Sequence, residues 1–551
     1  MPAYRKKHII LSGEIIFIGL FGGIYDFSFA LYGAVLFAGL WSAAKRRGTI
    51  TIPRNVTSYS LGIICLSYIL SVFAANDRGM AVIGILRALM LSGFWLWWSN
   101  AEASMKQLAR DYIPDIAAVL TGVTIILYFH PGTKDFLFRA GRMGGVFQYS
   151  NTYALFLLIS VVMLSYKEKR RRPDYIKAGI LIAGIVFCGS RSVMVLTVIT
   201  IIIRTSRMNS DRKKWLGLLG MTALAVVAVQ MMVQLDVERL WQLTWNSSTL
   251  NGRFLYWRDA LPVLIRNPLG LGYMGYYFLQ PQFQTGNYVT RFVHNDILQL
   301  GLDAGIFPMI ALTVMIAANI WNKNNTKQNK TILIILLLHS LFDFDLQFSV
   351  MFFLLLMCMS EGDQKNYVWR WKGIAGICGS FTLVCIYFSI ALVLSHIGME
   401  QAALYLYPSN TSVRESLMQK QEGGRDAEIL IEDNGMLADA YEYAARSHLE
   451  NAEYMQAYED IQGMLKTAGY QIYYYNQAVY DLSICLDMAV RSKDDIGAQR
   501  ILEGIRGIPR LLEELKAGTS GLAYRIHDRP VFELDEEIEE YIESLSGISL
   551  T

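Results

Sequence analysis

The apolar positions of this chain come in long unbroken blocks, not in the alternating or one-sided patterns of soluble strands and helices. Blocks at 113–129, 215–233 and 374–394 are each near the length that crosses a hydrocarbon core of ~30 Å as a helix. Lipid offers no hydrogen bonds to the backbone, so such blocks must be helical. The pattern predicts an all-α fold, a polytopic helical membrane protein. The first block has no small-residue cleavage site and runs at once into a second, so no cleavable signal peptide is expected.

Short loops rich in Lys and Arg stay on the cytoplasmic side. The candidates are 4–8, 45–47, 167–172, 207–214, 322–330 and 365–372. With all of them inside, each interval between neighbours must hold an even number of passes. Two helices, about 8–24 and 27–44, fill the first interval. Four, about 56–75, 79–99, 113–130 and 147–166, fill the next. The stretch 174–204 looks like one helix, but parity makes it a hairpin of two short helices broken at Gly189-Ser190-Arg191-Ser192. The interval 215–321 holds a helix, a long outer loop of about 234–293 and a returning helix. The stretch 331–360 again needs two passes, broken at Asp343-Phe344-Asp345. A last helix, about 373–396, leaves the C-terminus outside. The sum is about 13 transmembrane helices with the N-terminus in the cytoplasm.

Composition adds a division of the chain. It is 53% hydrophobic with a net charge of +3. Residues 398–551 hold 13 basic and 28 acidic residues, and residues 1–397 hold the other 37 and 19. The expected domains are therefore 1–397, transmembrane, and 398–551, an extracytoplasmic α-helical domain. Within the latter, 451–465 and 492–506 look alike, with Ala457 and Ala498 in corresponding places. This resembles degenerate tetratricopeptide-type helix pairs, and a plain helical bundle is the alternative. Five of six cysteines lie in apolar blocks, without disulfide or zinc spacing.

The topology sends unusual polar residues to one face. Arg139 and Arg142 precede the sixth helix, and Arg191 tips the first short hairpin. Arg253, Arg258, Arg266 and Arg291 lie in the long loop, and His294 begins the helix that leaves it. His339 and Asp343 are four apart and are expected to share a helix face. Arg87 is deeper in the fourth helix. Ionisable groups at membrane depth are costly and usually line a site. Arginine's fork pairs phosphate oxygens, and histidine exchanges protons near neutral pH. The set suits a diphosphate ligand and acid–base chemistry. Plainer readings exist for each member. His294 could cap its helix, single arginines could sit at the headgroups, and Arg87 could be neutralised by Asp343. Asp343-Phe344-Asp345 reads as polar residues closing a hairpin, with no metal site expected.

Residues 252–261 place aromatics and arginines at helical spacing, as in an amphipathic helix at a bilayer surface. The chain here resembles the O-antigen ligase and polysaccharide polymerase superfamily. The resemblance rests on Arg253…Trp257, on Pro268-Leu269-Gly270-Leu271-Gly272, and on His294-Asn295 followed by nine residues and then Gly305. Where the ligase signature ends on Gly, Thr or Tyr, this chain has Pro308. Gly144-Gly145-Val146-Phe147-Gln148-Tyr149-Ser150-Asn151 and Ser190-Arg191-Ser192 resemble two further family turns. The resemblance implies transfer of a glycan from undecaprenyl diphosphate to a glycan, lipid or protein acceptor, with no cofactor. It gives His294 the catalytic role and the diphosphate to Arg191, Arg253, Arg258, Arg291 and Arg142. Asn295, His339, Asp343 and Arg87 would support them. An envelope protein could dock on 398–551, and no nucleic-acid partner is expected. A transporter or flippase is the competing function. It would place polar groups at the bilayer midplane and show repeats. A scaffold that only presents the outer domain would not need the loop arginines.

Overall fold

The structure, a computed structural model, describes residues 12–206, 220, 248–362, 366–421 and 423–547. The predicted loops at 4–8 and 207–214, the predicted helix at 215–233 and the loop start at 234–247 lie outside the described residues.

The described chain is all-α apart from two short antiparallel ribbons. Four of the described helices are long and apolar enough to cross a membrane: Asp26–Arg47, Val56–Ala74, Arg78–Asn100 and Trp371–His396. Ser150–Ser165 and Ile306–Trp321 are shorter apolar helices. Ser150–Ser165 is buried on nearly every side, which explains a composition with no polar face.

Both predicted breaks are present. Helices Arg172–Cys188 and Arg191–Ser206 are separated by Gly189, whose positive φ of 61° closes the first of them. Helices Lys327–Ser340 and Ser349–Met357 are separated by residues 341–348. The helix expected at 113–130 starts earlier, as Ala103–Leu127.

The returning segment has a break that periodicity did not show. It forms Asp296–Ala304 and Ile306–Trp321, joined through Gly305 at φ 98°. The Pro268–Gly272 turn explains it. Leu271 and Gly272 donate backbone N–H groups to Leu302 and Asp303 carbonyls, and Ile306 donates to Pro268. The orphan backbone groups at the helix junction are thereby paired. A Cβ on Gly305 would lie 2.4 Å from the Pro268 oxygen. Gly305→Ala should thus lower stability by about 1–3 kcal/mol, the scale of local backbone strain, seen as a drop in thermal midpoint in detergent. An unchanged midpoint would show that the junction relaxes freely. Pro308 falls in the first turn of its helix, where its missing N–H costs nothing.

Among the described residues, the Lys- and Arg-rich loops at 45–47, 167–172, 322–330 and 366–372 gather at one end. Thr49–Pro53 pairs antiparallel with Asn366–Arg370. Asn55 donates to the Ser360 carbonyl, Asn325 to that of Cys358, and the Tyr166 and Thr331 hydroxyls meet at 2.9 Å.

Residues 400–547 form helices packed on a core that includes Ile461, Ala478, Cys485 and Ile501. Ala457 and Ala498 are both buried there. This region meets the tip between helices Val56–Ala74 and Arg78–Asn100. Asp77 accepts from Thr411 and Asn434, and Tyr407 donates to the Gly79 carbonyl.

Candidate functional site

The break at 341–348 carries the centre of the site. Its backbone is held from two sides. Arg87 donates to the Leu346 carbonyl and to Gln347, and Asp296 accepts from the Leu346 N–H. Arg87 therefore buttresses this turn. It is not the partner of Asp343, which settles the plainer reading of that arginine differently from expectation.

Held this way, Asp343 is fully buried and collects four donors from three segments of the chain. It accepts from the Tyr149 hydroxyl (2.8 Å), Asn151 Nδ2 (2.7 Å), Arg253 Nη2 (3.0 Å) and His294 Nδ1 (3.2 Å). Phe344 packs beneath, stacked on Tyr149 with centroids 4.5 Å apart and edge-to-face with His294 at 4.9 Å. His339 and Asp343 do not share a helix face. The helix ends at Ser340, so Asp343 lies past it in the break. His339 instead pairs through Nδ1 with Asp345, which also accepts from Thr152. His339 Nε2 faces the Ser192 hydroxyl at 2.9 Å. This second relay runs to the turn that carries Arg191.

Local sequence explains how His294 is presented. Asn295 caps the Asp296–Ala304 helix, accepting from the Leu298 N–H, and its amide donates to the Leu341 carbonyl. His294 stands outside the cap at φ 54°, so it is not the capping residue. An acceptor carboxylate at Nδ1 requires the proton there, which leaves the Nε2 lone pair outward. Among the described residues, Nε2 makes no hydrogen bond, and the side chain is 20% exposed.

The Ser248–Arg266 helix covers this centre. Arg253 and Trp257 are four apart on one face. Arg253 reaches Asp343, and Trp257 Nε1 donates to the Val293 carbonyl at 3.0 Å. Arg253 Nε is buried with no hydrogen-bond partner among the described residues. Asp259, on the opposite side, accepts from Thr285 and Tyr288 and ties down the loop. Burial pushes its carboxyl up in spite of these donors.

The other arginines separate. Arg142 lies at the edge of the centre, donating to Asn151 at 2.6 Å and to the Cys188 carbonyl. Arg191 begins its helix beside Ser192. Arg291 lies off to one side, 3.5 Å from Asp26. Arg258 turns away and donates to Ser520 of the C-terminal region. Tyr149, Thr152, Ser192 and Asp345 were missed as site residues. The two family-like turns at 144–151 and 190–192 were the available signal for Tyr149 and Ser192.

Residues 176–313 match the family model described as O-Antigen ligase.

The O-antigen ligase segment covers about a quarter of the chain. It contains Arg191, Arg253, His294 and Gly305, while Asp343 and His339 lie beyond it. With the apolar helices, the match supports a membrane protein of the glycan-transferring ligase or polymerase kind. No curated protein and no solved structure matches the chain.

Proposed function

We propose that the protein transfers a glycan from undecaprenyl diphosphate to an acceptor on the outer face of the cell membrane. The observation that carries this is the junction of Arg253 and His294 on one buried carboxylate, Asp343. His294 Nε2 takes the proton of an acceptor hydroxyl. The acceptor oxygen then forms its bond to the anomeric carbon, and the bond from that carbon to the diphosphate oxygen breaks. The carrier diphosphate leaves with the electron pair. Arg253, through its unpaired Nε, and Arg191 and Arg142 at the rim stabilise the growing charge. Asp343 holds the histidine tautomer and stabilises the imidazolium.

Sidedness fits the 13-helix arrangement. The described basic loops lie at the end opposite the breaks at 189–190 and 341–348, so a cytoplasmic position for those loops favours an outer position for the centre. The C-terminal region meets the 75–79 tip and the long loop, which supports an outer position for it on the same reading. There it could receive an envelope partner.

Purified protein in lipid nanodiscs, given an undecaprenyl diphosphate-linked oligosaccharide and candidate acceptors, should release the carrier diphosphate and lengthen or modify an acceptor. If the donor stays intact with every envelope acceptor offered, the transfer reading fails and transport of a lipid-linked solute takes its place.

A further inference from the structure

A cleft of about 190 Å³ lies between the Gly275–Phe283 helix of the long loop and the helices of the C-terminal region. Tyr277 and Tyr474 supply aromatic surface, and Asn287 and Gln471 supply amides. Glu415 and Asp439 supply carboxylates, and no Lys or Arg is among the lining residues described. Asp439 is engaged by Tyr474 and Gln419. Glu415 has no hydrogen bond or ion pair among the described residues, although burial and the Asp439 charge push its carboxyl up to about 7. Half-buried in the cleft wall, this carboxyl keeps its acceptor positions available to a ligand in the cleft.

The cleft is also connected to the centre. Tyr288 lines it, and its ring lies 4.6 Å from that of Tyr256, which is 6.0 Å from His294. Residues 289–293 connect the cleft to His294 along the chain.

We propose that this cleft is a saccharide subsite that holds a neutral or amino sugar and rejects acidic sugars. Aromatic faces pack on the C–H faces of a sugar ring. Amides and a free carboxylate accept from its hydroxyl or amine groups, and hydrogen bonds to an ionised acceptor are the stronger ones. Above about pH 7, where Glu415 is ionised, the carboxylate charge of the cleft excludes a uronic acid by repulsion. The inference deepens the transfer reading, on which it rests for placing the sugar within the glycan that passes His294. The sugar binding itself is separately measurable.

The test is saturation-transfer NMR on the full chain in nanodiscs with N-acetylglucosamine, glucosamine and glucuronic acid. The first two should show transfer and glucuronic acid should show none. Glu415→Gln should weaken binding tenfold or more, the worth of about 1.5–3 kcal/mol for a hydrogen bond to a charged group. The same variant should raise the thermal midpoint at pH 8. The folded Glu415 carboxyl titrates above its ordinary 4.5, so its contribution is lost as pH rises through about 7. A purely structural Glu415 would not link a gain in stability to a loss of sugar binding. No saturation transfer from either sugar, equal binding of glucuronic acid, or parent-like binding by Glu415→Gln would overturn the subsite. A glycan-transfer assay on the same preparation separates the two readings. Transfer with a silent cleft sinks the subsite alone, and sugar binding without transfer sinks the proposed reaction alone.

Discussion

His294→Ala is expected to lose glycan transfer by about 10²–10⁴-fold, the usual worth of general acid–base help, while the protein stays folded. The geometry says why the fold should survive. Asn295, not His294, caps the Asp296–Ala304 helix, so no helix end is opened. Val293 keeps its bonds to Gln299 and Trp257. His294→Asn is the sharper variant. Asparagine tolerates the positive φ of 54° and can still donate to Asp343, but it offers no base. Initial rates with a lipid-linked donor in nanodiscs decide the matter. Transfer by His294→Asn at the parent rate would exclude histidine chemistry and leave arginine positioning as the source of catalysis.

Arg253→Ala should fail twice. It removes the cation from a fully buried carboxylate, and breaking a buried pair costs about 3–5 kcal/mol. It also removes the guanidinium nearest the reacting centre, so transfer should fall strongly. Arg253→Lys should rescue poorly, because a point charge cannot face Asp343 and a phosphoryl oxygen as a fork does. Stability and chemistry can be separated with the double variant Arg253→Ala, Asp343→Asn. Removing the stranded charge should restore much of the thermal midpoint while transfer stays lost. Arg191→Ala should likewise cut transfer strongly. Full transfer by both Arg253→Ala and Arg191→Ala, at normal expression, would reduce these arginines to structural residues.

Much of this architecture is local and therefore legible in the chain. Long apolar blocks must be helices wherever lipid surrounds them. Gly189 and the Asp343-Phe344-Asp345 triplet interrupt blocks too long for one pass and too polar at the middle. Arg253 and Trp257 share a face because helical spacing puts them there. The Asp296–Ala304 break at Gly305 escaped because it is made by the Pro268–Gly272 turn, more than thirty residues away. No periodicity in the segment itself records that pairing.

Partner choice was the part that sequence could not supply. The pattern gathered arginines, histidines and carboxylates on one face, but proximity along the chain pointed His339 to Asp343. Only the end of the helix at Ser340 sends Asp343 to His294 and Arg253, and His339 to Asp345 and Ser192. The same holds for Arg87 on Leu346, Arg291 near Asp26 and Arg258 on Ser520. A charged side chain in a buried setting takes whichever partner the packed backbone brings within about 3 Å. The sequence by itself determined which residues are polar where polarity is costly. The tertiary structure decided which of them meet, because that depends on where distant turns stop and how helices close over one another.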